Sequence, residues 1–382
     1  MDLRDLYKRT FAAVEAQSGT GKSRLGKATW AGRKVVIYGA GGFGRELARI
    51  LVKRQDELLG FLDQKATGQT VCENLRAYPL DSDESKKWLR EKPVVLIGVF
   101  NCANSLREIS NGLRGCGFSE VFTPVEFYSE LADELGWRYW LGKCEDYSGA
   151  ARLIEQAYLM WADDESRRLF LETLLFRLES DLTALTTISE PDSQYADPTV
   201  PRFDEPLNMV DGGAYLGDSV ECLLRHRYEI ARLYAFEPDR ANFRQLRSAV
   251  SRILPRSQTS LWPCGVWSST DQLRFSADGS GASKLSETGS VVVPVVALDD
   301  VLINQPVNLI KLDIEGAEPD ALQGAMQIIQ KNRPGLAICL YHYPHHLWTL
   351  PLWVNNLEIG YRLYYRAHLQ NSFDTVLYAV KG

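Results

Sequence analysis

An α/β chain of two doubly wound, Rossmann-like domains joined by a helical linker is what the sequence predicts, on three observations. Strand and helix patterns alternate over residues 31–127 and again from Leu207. Parallel strands require this, because each must be reached by a crossover passing over one face of the sheet. Each alternation opens with closely spaced glycines between an apolar strand and a helix. Between the two, residues 128–200 lose the strand signal and run into Pro191, Pro198, Pro201 and Pro206, a polar, proline-crowded boundary.

Residues 1–16 place Leu3, Leu6, Tyr7, Phe11 and Val14 at helical spacing, so residues 1–30 read as a short amphipathic helix and a Gly/Ser/Lys linker. In the first domain, strands are expected at Lys34–Tyr38, Leu58–Leu62, Val94–Gly98 and Glu120–Thr123. Helices are expected at Phe43–Lys53, Ser82–Arg90 and Ser105–Gly115. Asp163–Ser180 reads as a capped helix with Leu169, Leu174 and Leu178 on one side. In the second domain, residues 201–382, strands are expected at Leu207–Val210, Leu233–Phe236, Ser260–Pro263, Leu309–Leu312, Leu336–Leu340, Tyr361–Tyr365 and Thr375–Ala379. Leu273–Phe275 and Val291–Val296 flank a Gly/Ser-rich loop and read as an inserted hairpin.

The 382 residues leave room for two or three domains at ~150 residues each. With 45% hydrophobic and 24% charged residues, the composition excludes a disordered or collagen-like chain. Forty-three Lys and Arg against 49 Asp and Glu leave a charge of −6, so no overall basic field favours nucleic acid or an anionic membrane. Apolar runs such as Val94–Ile97 fall far short of the ~20 residues of a membrane span. No secretory signal is recognised, and the seven cysteines are scattered with no CxxC spacing. Reduced thiols and a cytoplasmic location are expected, without structural zinc.

Three patterns invite chemistry and lack its context. Ala16–Ser23 is a relaxed phosphate-loop pattern without the preceding strand, and reads as a linker. Tyr139 and Lys143 have the Y-x-x-x-K spacing of some oxidoreductases, but Gly142 weakens the helix that would align them. His342, His345 and His346 suggest a metal, yet Pro344 breaks the helix that would present them, so a loop leaving a strand is expected.

The first glycine turn, Gly39, Gly41 and Gly44, is a full G-x-G-x-x-G, and Asp63 ends the next strand nineteen residues later, where a ribose-binding acid belongs. It fits NAD(P) or a nucleotide sugar, or is a turn kept only for helix–strand packing. The second turn is preceded by an acid: Asp211, Gly212, Gly213 and Gly217, with Glu237 ending the following strand. A carboxylate ahead of the glycines would repel a pyrophosphate and suits an ammonium or sulfonium, as in S-adenosylmethionine. Glu237 is placed to accept ribose hydroxyls. Asp313, Glu315 and Glu318 cluster at and beyond another strand end; Glu318 reads as a helix N-terminal charge.

The runs VDGGAYLGDS, YAFEPD, PCGVWSS, VVALDDVL, LIKLDIEGAEPDALQGA, RPGLAICLYHYPHHLW and VLYA resemble the FkbM family of S-adenosylmethionine-dependent methyltransferases over about residues 200–382. The resemblance implies a class I methyltransferase fold acting on oxygen, often a sugar hydroxyl of a polysaccharide or natural product. It also implies Asp211 and Gly213 along the methionine moiety, Glu237 on the ribose, and Cys264 and Gly265 near adenine. Asp313, Glu315 and His342 would face the reacting centre, with His342 or Asp313 as the base. The sequence departs from many relatives at Tyr215 and His346. The first domain resembles the nucleotide-sugar-binding domains of sugar-modifying enzymes. A glycan or other small-molecule substrate is expected. The competing expectations are a catalytically silent nucleotide-sugar-binding module and an NAD(P)-dependent sugar oxidoreductase using the first glycine turn.

Overall fold

The computed structural model describes residues 1–17, 29–184, 189, 191–276, 284–285 and 291–382. The first glycine turn belongs to a six-stranded sheet. Its strands are β1 (Val35–Tyr38), β2 (Leu58–Leu62), β3 (Thr70–Cys72), β4 (Leu75–Tyr78), β5 (Val94–Ile97) and β6 (Glu120–Phe122), in the order β3-β4-β2-β1-β5-β6. All pairings are parallel except β3 with β4. Every residue of β1 and β5 is buried, as strands covered by helices on both faces must be. The β3–β4 hairpin was not expected. Its tight turn rests on Glu73 and Asn74, both at positive φ, a conformation Asn tolerates better than Glu.

The second glycine turn belongs to a seven-stranded sheet made of β7 (Leu207–Gly212), β8 (Ile230–Phe236), β9 (Thr259–Trp262), β14 (Leu309–Leu312), β15 (Gly335–Cys339), β16 (Tyr361–Ala367) and β17 (Thr375–Lys381). Their order is β16-β17-β15-β14-β7-β8-β9. The strands are parallel except β17, which inserts antiparallel between β15 and β16. Strand order reverses between β7 and β14, so a crevice opens at their carboxyl ends. The expected hairpin is part of a separate small sheet of β10 (Gly265–Val266), β11 (Asp271–Ser276), β12 (Lys284–Leu285) and β13 (Val291–Val296). Strands β11 and β13 pair antiparallel; most of the loop between them lies outside the described residues. The phosphate-loop-like stretch Ala16–Ser23 also falls largely outside them.

The helical segment is built into the second sheet. Helix Asp164–Glu179 is buried continuously from Leu169 to Leu178, not on one side only. Its residues bond to β16, with Ser166 Oγ accepting from Tyr365 N at 2.9 Å and Thr173 Oγ1 lying 2.9 Å from Tyr365 Oη. Arg366, fully buried, donates to Asp163 at 2.8 Å. The opening helix, Leu3–Ala16, docks on this same helix through Arg9, which pairs with Glu179 and Asp181. No helix among the described residues is long and apolar enough to cross a membrane.

The two sheets meet at their carboxyl ends. Asn371, in the turn before β17, donates to Asn101 O and Asn104 O at 2.8 and 2.7 Å and accepts from Leu106 N at 3.1 Å. Arg138 bridges to Glu46 on the helix of the first glycine turn. Trp137 Nε1 donates to His342 O at 2.9 Å. The ring of Phe100, just past β5, packs on Tyr139 and Phe373, and Phe43 of the first glycine turn packs on Phe100.

Candidate active site

The end of β7 is held by a buried ion pair. Asp211 is fully buried and lies 3.0 Å from the ammonium of Lys311 on β14, while Ser219 donates to its other oxygen. Lys311 also donates to Gly212 O and Gly213 O at 3.2 and 2.7 Å. Burial works against the lysine's charge, but Asp211, Asp313 and Asp218 hold its pKa above the ordinary value. Lys311 thus compensates the charge on which the sequence argument for a sulfonium or ammonium rests. The sequence signal was available, because a lysine inside the buried strand Leu309–Leu312 demands a partner.

The turn after β7 needs glycine. Gly213 has φ +72°, and a Cβ there would fall 1.9 Å from Asp313 O, so no side chain fits between the two strand ends. Gly213 N and Ala214 N both donate to Phe236 O at 3.0 Å. This brings Tyr215 N to Glu237 Oε2 at 2.9 Å, while Asp239 N donates to Oε1 at 2.9 Å. Burial raises the Glu237 pKa, and these two backbone donors oppose the rise. Gly217, at φ +95°, caps helix Asp218–Arg225. Cys264 and Gly265 follow β9 at the same edge as Glu237, whose N donates to Trp262 O at 3.1 Å; Cys264 is buried, which pushes its thiol up to about 11.

On the other side of the crevice stand Asp313, Glu315 and His342. Asp313 accepts from Tyr341 Oη at 3.0 Å and Tyr195 Oη at 3.2 Å. His342 is fully buried between carboxylates. Its Nδ1 is 2.9 Å from Glu318 Oε1, and its Nε2 is 3.4 Å from Asp313 and 3.7 Å from Glu315. Burial alone would lower the imidazole's pKa, but Glu318, Glu315 and Asp313 raise it to about 9. These carboxylates favour the imidazolium form of His342 at neutral pH, which argues against the base role expected of it. Glu318, read from sequence as a helix N-terminal charge, has no accessible surface. Burial pushes its carboxyl up, and the two histidines overcome this to hold it well below the usual carboxylate range; His346 Nδ1 lies 3.4 Å away.

Glu315 is the open carboxylate of the group, with its side chain 43% exposed. The dense surroundings raise its pKa to about 7; His342 opposes this, and Asp313 and Glu318 add to it. It sits at φ +57°, in the loop between β14 and the helix that begins at Glu318. Asp374 is likewise raised to about 7 by burial and by Asp313. Tyr195 and Asp374 were missed from sequence, and Tyr139 was named there only for its Y-x-x-x-K spacing. They come from the proline-crowded segment, the β16–β17 turn and the helical segment, and no local motif links them to Asp313.

The Y-x-x-x-K pair does not form. Tyr139 sits at φ +52° against His342, and Lys143 pairs with Asp133 at 2.7 Å. In the first sheet, Gly39 has φ +102°, and a Cβ on Gly44 would lie 2.0 Å from Gly39 O, so this glycine allows the helix to close on the strand. Gly41 has open space where a side chain would be. Asp63 is engaged locally, accepting from Ala40 N at 2.9 Å and Lys65 N at 2.8 Å, and so ties the end of β2 to the turn.

Residues 211–363 match the methyltransferase FkbM domain, and residues 34–108 match the PglD N-terminal domain. The chain is similar along its length to the crystal structure of a methyltransferase FkbM from Methylobacillus flagellatus. Identity is 20%, coverage 99% of this chain and 100% of that one, and the TM-score 0.76, a shared fold. An rRNA methylase from Streptococcus thermophilus aligns with 47% of this chain and 89% of its own, at 15% identity and TM-score 0.29. A putative caffeoyl-CoA O-methyltransferase from Staphylococcus aureus aligns with 46% and 76%, at 10% identity and TM-score 0.30. No curated protein matches the sequence. The chain thus carries a methyltransferase domain at 211–363 behind a PglD N-terminal domain at 34–108.

Proposed function

We propose that the chain is an S-adenosylmethionine-dependent O-methyltransferase acting on a sugar hydroxyl. The observation that carries this reading is the meeting of Glu237 with Asp313 and Glu315 at one switch point, inside the stretch that matches a methyltransferase domain. The donor set fits the cofactor. Each Glu237 oxygen accepts one backbone N–H and keeps acceptor capacity for a ribose hydroxyl. The sign argument made for Asp211 passes to Asp313, Glu315 and Asp374, whose carboxyls outnumber the cations facing them and favour a sulfonium or ammonium. When bound, the cofactor supplies a methyl group already activated for transfer.

The protein's part is alignment and proton handling. Gly212 and Gly213 let the ends of β7 and β14 close together beneath the ligand, Gly217 starts the next helix, and Cys264 and Gly265 flank the adenine end. Asp313, fixed by two tyrosine hydroxyls, orients the acceptor. Glu315 takes the acceptor's proton, since it is the exposed carboxylate with a pKa near neutrality. His342, clamped by Glu318, faces Asp313 at 3.4 Å and helps fix its place.

The first domain holds the acceptor's handle. Aromatic contacts run from Phe43 through Phe100 and Tyr139 to His342, which supports a nucleotide sugar reaching from the first glycine turn towards Glu315. With label on the cofactor's methyl group and a panel of free and nucleotide-linked sugars, label is expected in a base-stable ether on a nucleotide-linked sugar. Transfer to nitrogen, formation of a base-labile ester, or nicotinamide-dependent oxidation of the same sugars in place of methylation would reject this reading.

A further inference from the structure

A second cavity lies away from the crevice, on the flank of the second sheet, with a volume of about 560 Å³. Arg244 and Arg247 of helix Arg240–Ile253 and Arg256 from the following turn line it, above Val250, Thr259 and Leu261. Thr259 is at the amino end of β9, whereas Glu237 meets Trp262 at the other end, so the cavity is separate from the candidate active site.

Residues 240–258 contain five arginines and no carboxylate, in a chain of net charge −6. Several arginines elsewhere do carry ion pairs, such as Arg33 with Glu120, Arg202 with Glu205 and Arg366 with Asp163. Among the described residues, no carboxylate lies within ion-pair distance of Arg244, Arg247 or Arg256. The arrangement opposes helix stability. Arg240, Arg244 and Arg247 repel one another at i,i+4 and i,i+3 spacing, and cations in the first half of a helix gain nothing from its dipole. Three arginines line one hollow, and planar guanidiniums match phosphate oxygens bidentately. The apolar floor of Val250 and Leu261 suits the organic part of such a ligand, and the volume is that of a small-molecule pocket.

We propose that this cavity binds a phosphorylated small molecule at a site distinct from the methyl-transfer crevice. A concave site on a chain with net negative charge favours a discrete anion over a lipid surface. The test is calorimetric titration of inorganic pyrophosphate into the intact chain at low salt. Variants are Arg244→Glu with Arg247→Glu, and Arg90→Glu, an exposed arginine of the first domain, as control. Binding should weaken at least ~10-fold in the double variant, the loss expected for charged hydrogen bonds. It should stay unchanged in the control and fall as salt rises. Four results would overturn the proposal: no binding, binding that survives the double substitution (and so belongs elsewhere, such as the glycine turn), equal loss in the control, or arginine-dependent uptake only onto phosphatidylglycerol vesicles.

Discussion

Glu315→Gln is expected to lower kcat by ~10²–10⁴ while leaving the affinity for the methyl donor within about threefold, the range general-base removal covers. A hydroxyl is a weak nucleophile, and its proton must leave as the new C–O bond forms. Asp313 is already engaged by the Tyr195 and Tyr341 hydroxyls and faces His342, which suits it to orienting the acceptor. Glu315 differs in being open to the crevice and titrating near 7. Its active form is the carboxylate, so log kcat should rise with unit slope up to about pH 7 and level off above. In Glu315→Gln this limb should disappear along with the rate. A variant that keeps the limb would take the base role from Glu315 and point to Asp374, the other carboxyl raised to about 7, with Asp374→Asn as the substitution that removes it.

Glu318→Gln is expected to destabilise the second sheet by ~3–5 kcal/mol, because it strands a buried imidazolium without its partner. The pH dependence gives this its signature. The folded pKa of His342, about 9, is above its unfolded value, so its contribution is complete below pH 6.5 and is lost as pH rises through 9. The folded pKa of Glu318 is depressed, so its contribution is present above the ordinary carboxylate range and is lost as pH falls below it. Protection of the β14 and β15 amides from hydrogen exchange should therefore decline between pH 6.5 and 9 in the parent. In Glu318→Gln it should be lower at pH 6.5 and nearly flat to 9. Parallel decline in both proteins would mean that the pair does not carry this stability.

Both parallel sheets were legible because their central strands are buried on both faces and read as unbroken apolar runs, as in Val94–Ile97 and Leu309–Leu312. The glycine turns were legible for a related reason: Gly213 and Gly44 sit where a Cβ would strike backbone of a neighbouring segment. The β3–β4 hairpin escaped notice because its strands are three and four residues long. At the crevice, single acids at strand ends could be named from order along the chain, whereas their partners could not. Whether Asp211 is free or paired depends on Lys311, one hundred residues away. Whether His342 is a base or a cation depends on Glu318, which sequence alone places on a helix end with no statement of burial. Long-range pairing decides charge, and charge decides role.

The central claim is that the crevice at Glu237 binds the methyl donor. Titrating S-adenosylhomocysteine calorimetrically into the intact protein and into Glu237→Ala tests it most directly. The account predicts micromolar binding that the substitution weakens by ~1–3 kcal/mol, the cost of losing hydrogen bonds to a charged acceptor. Absence of binding to the folded parent protein, or equal affinity in Glu237→Ala, would contradict it.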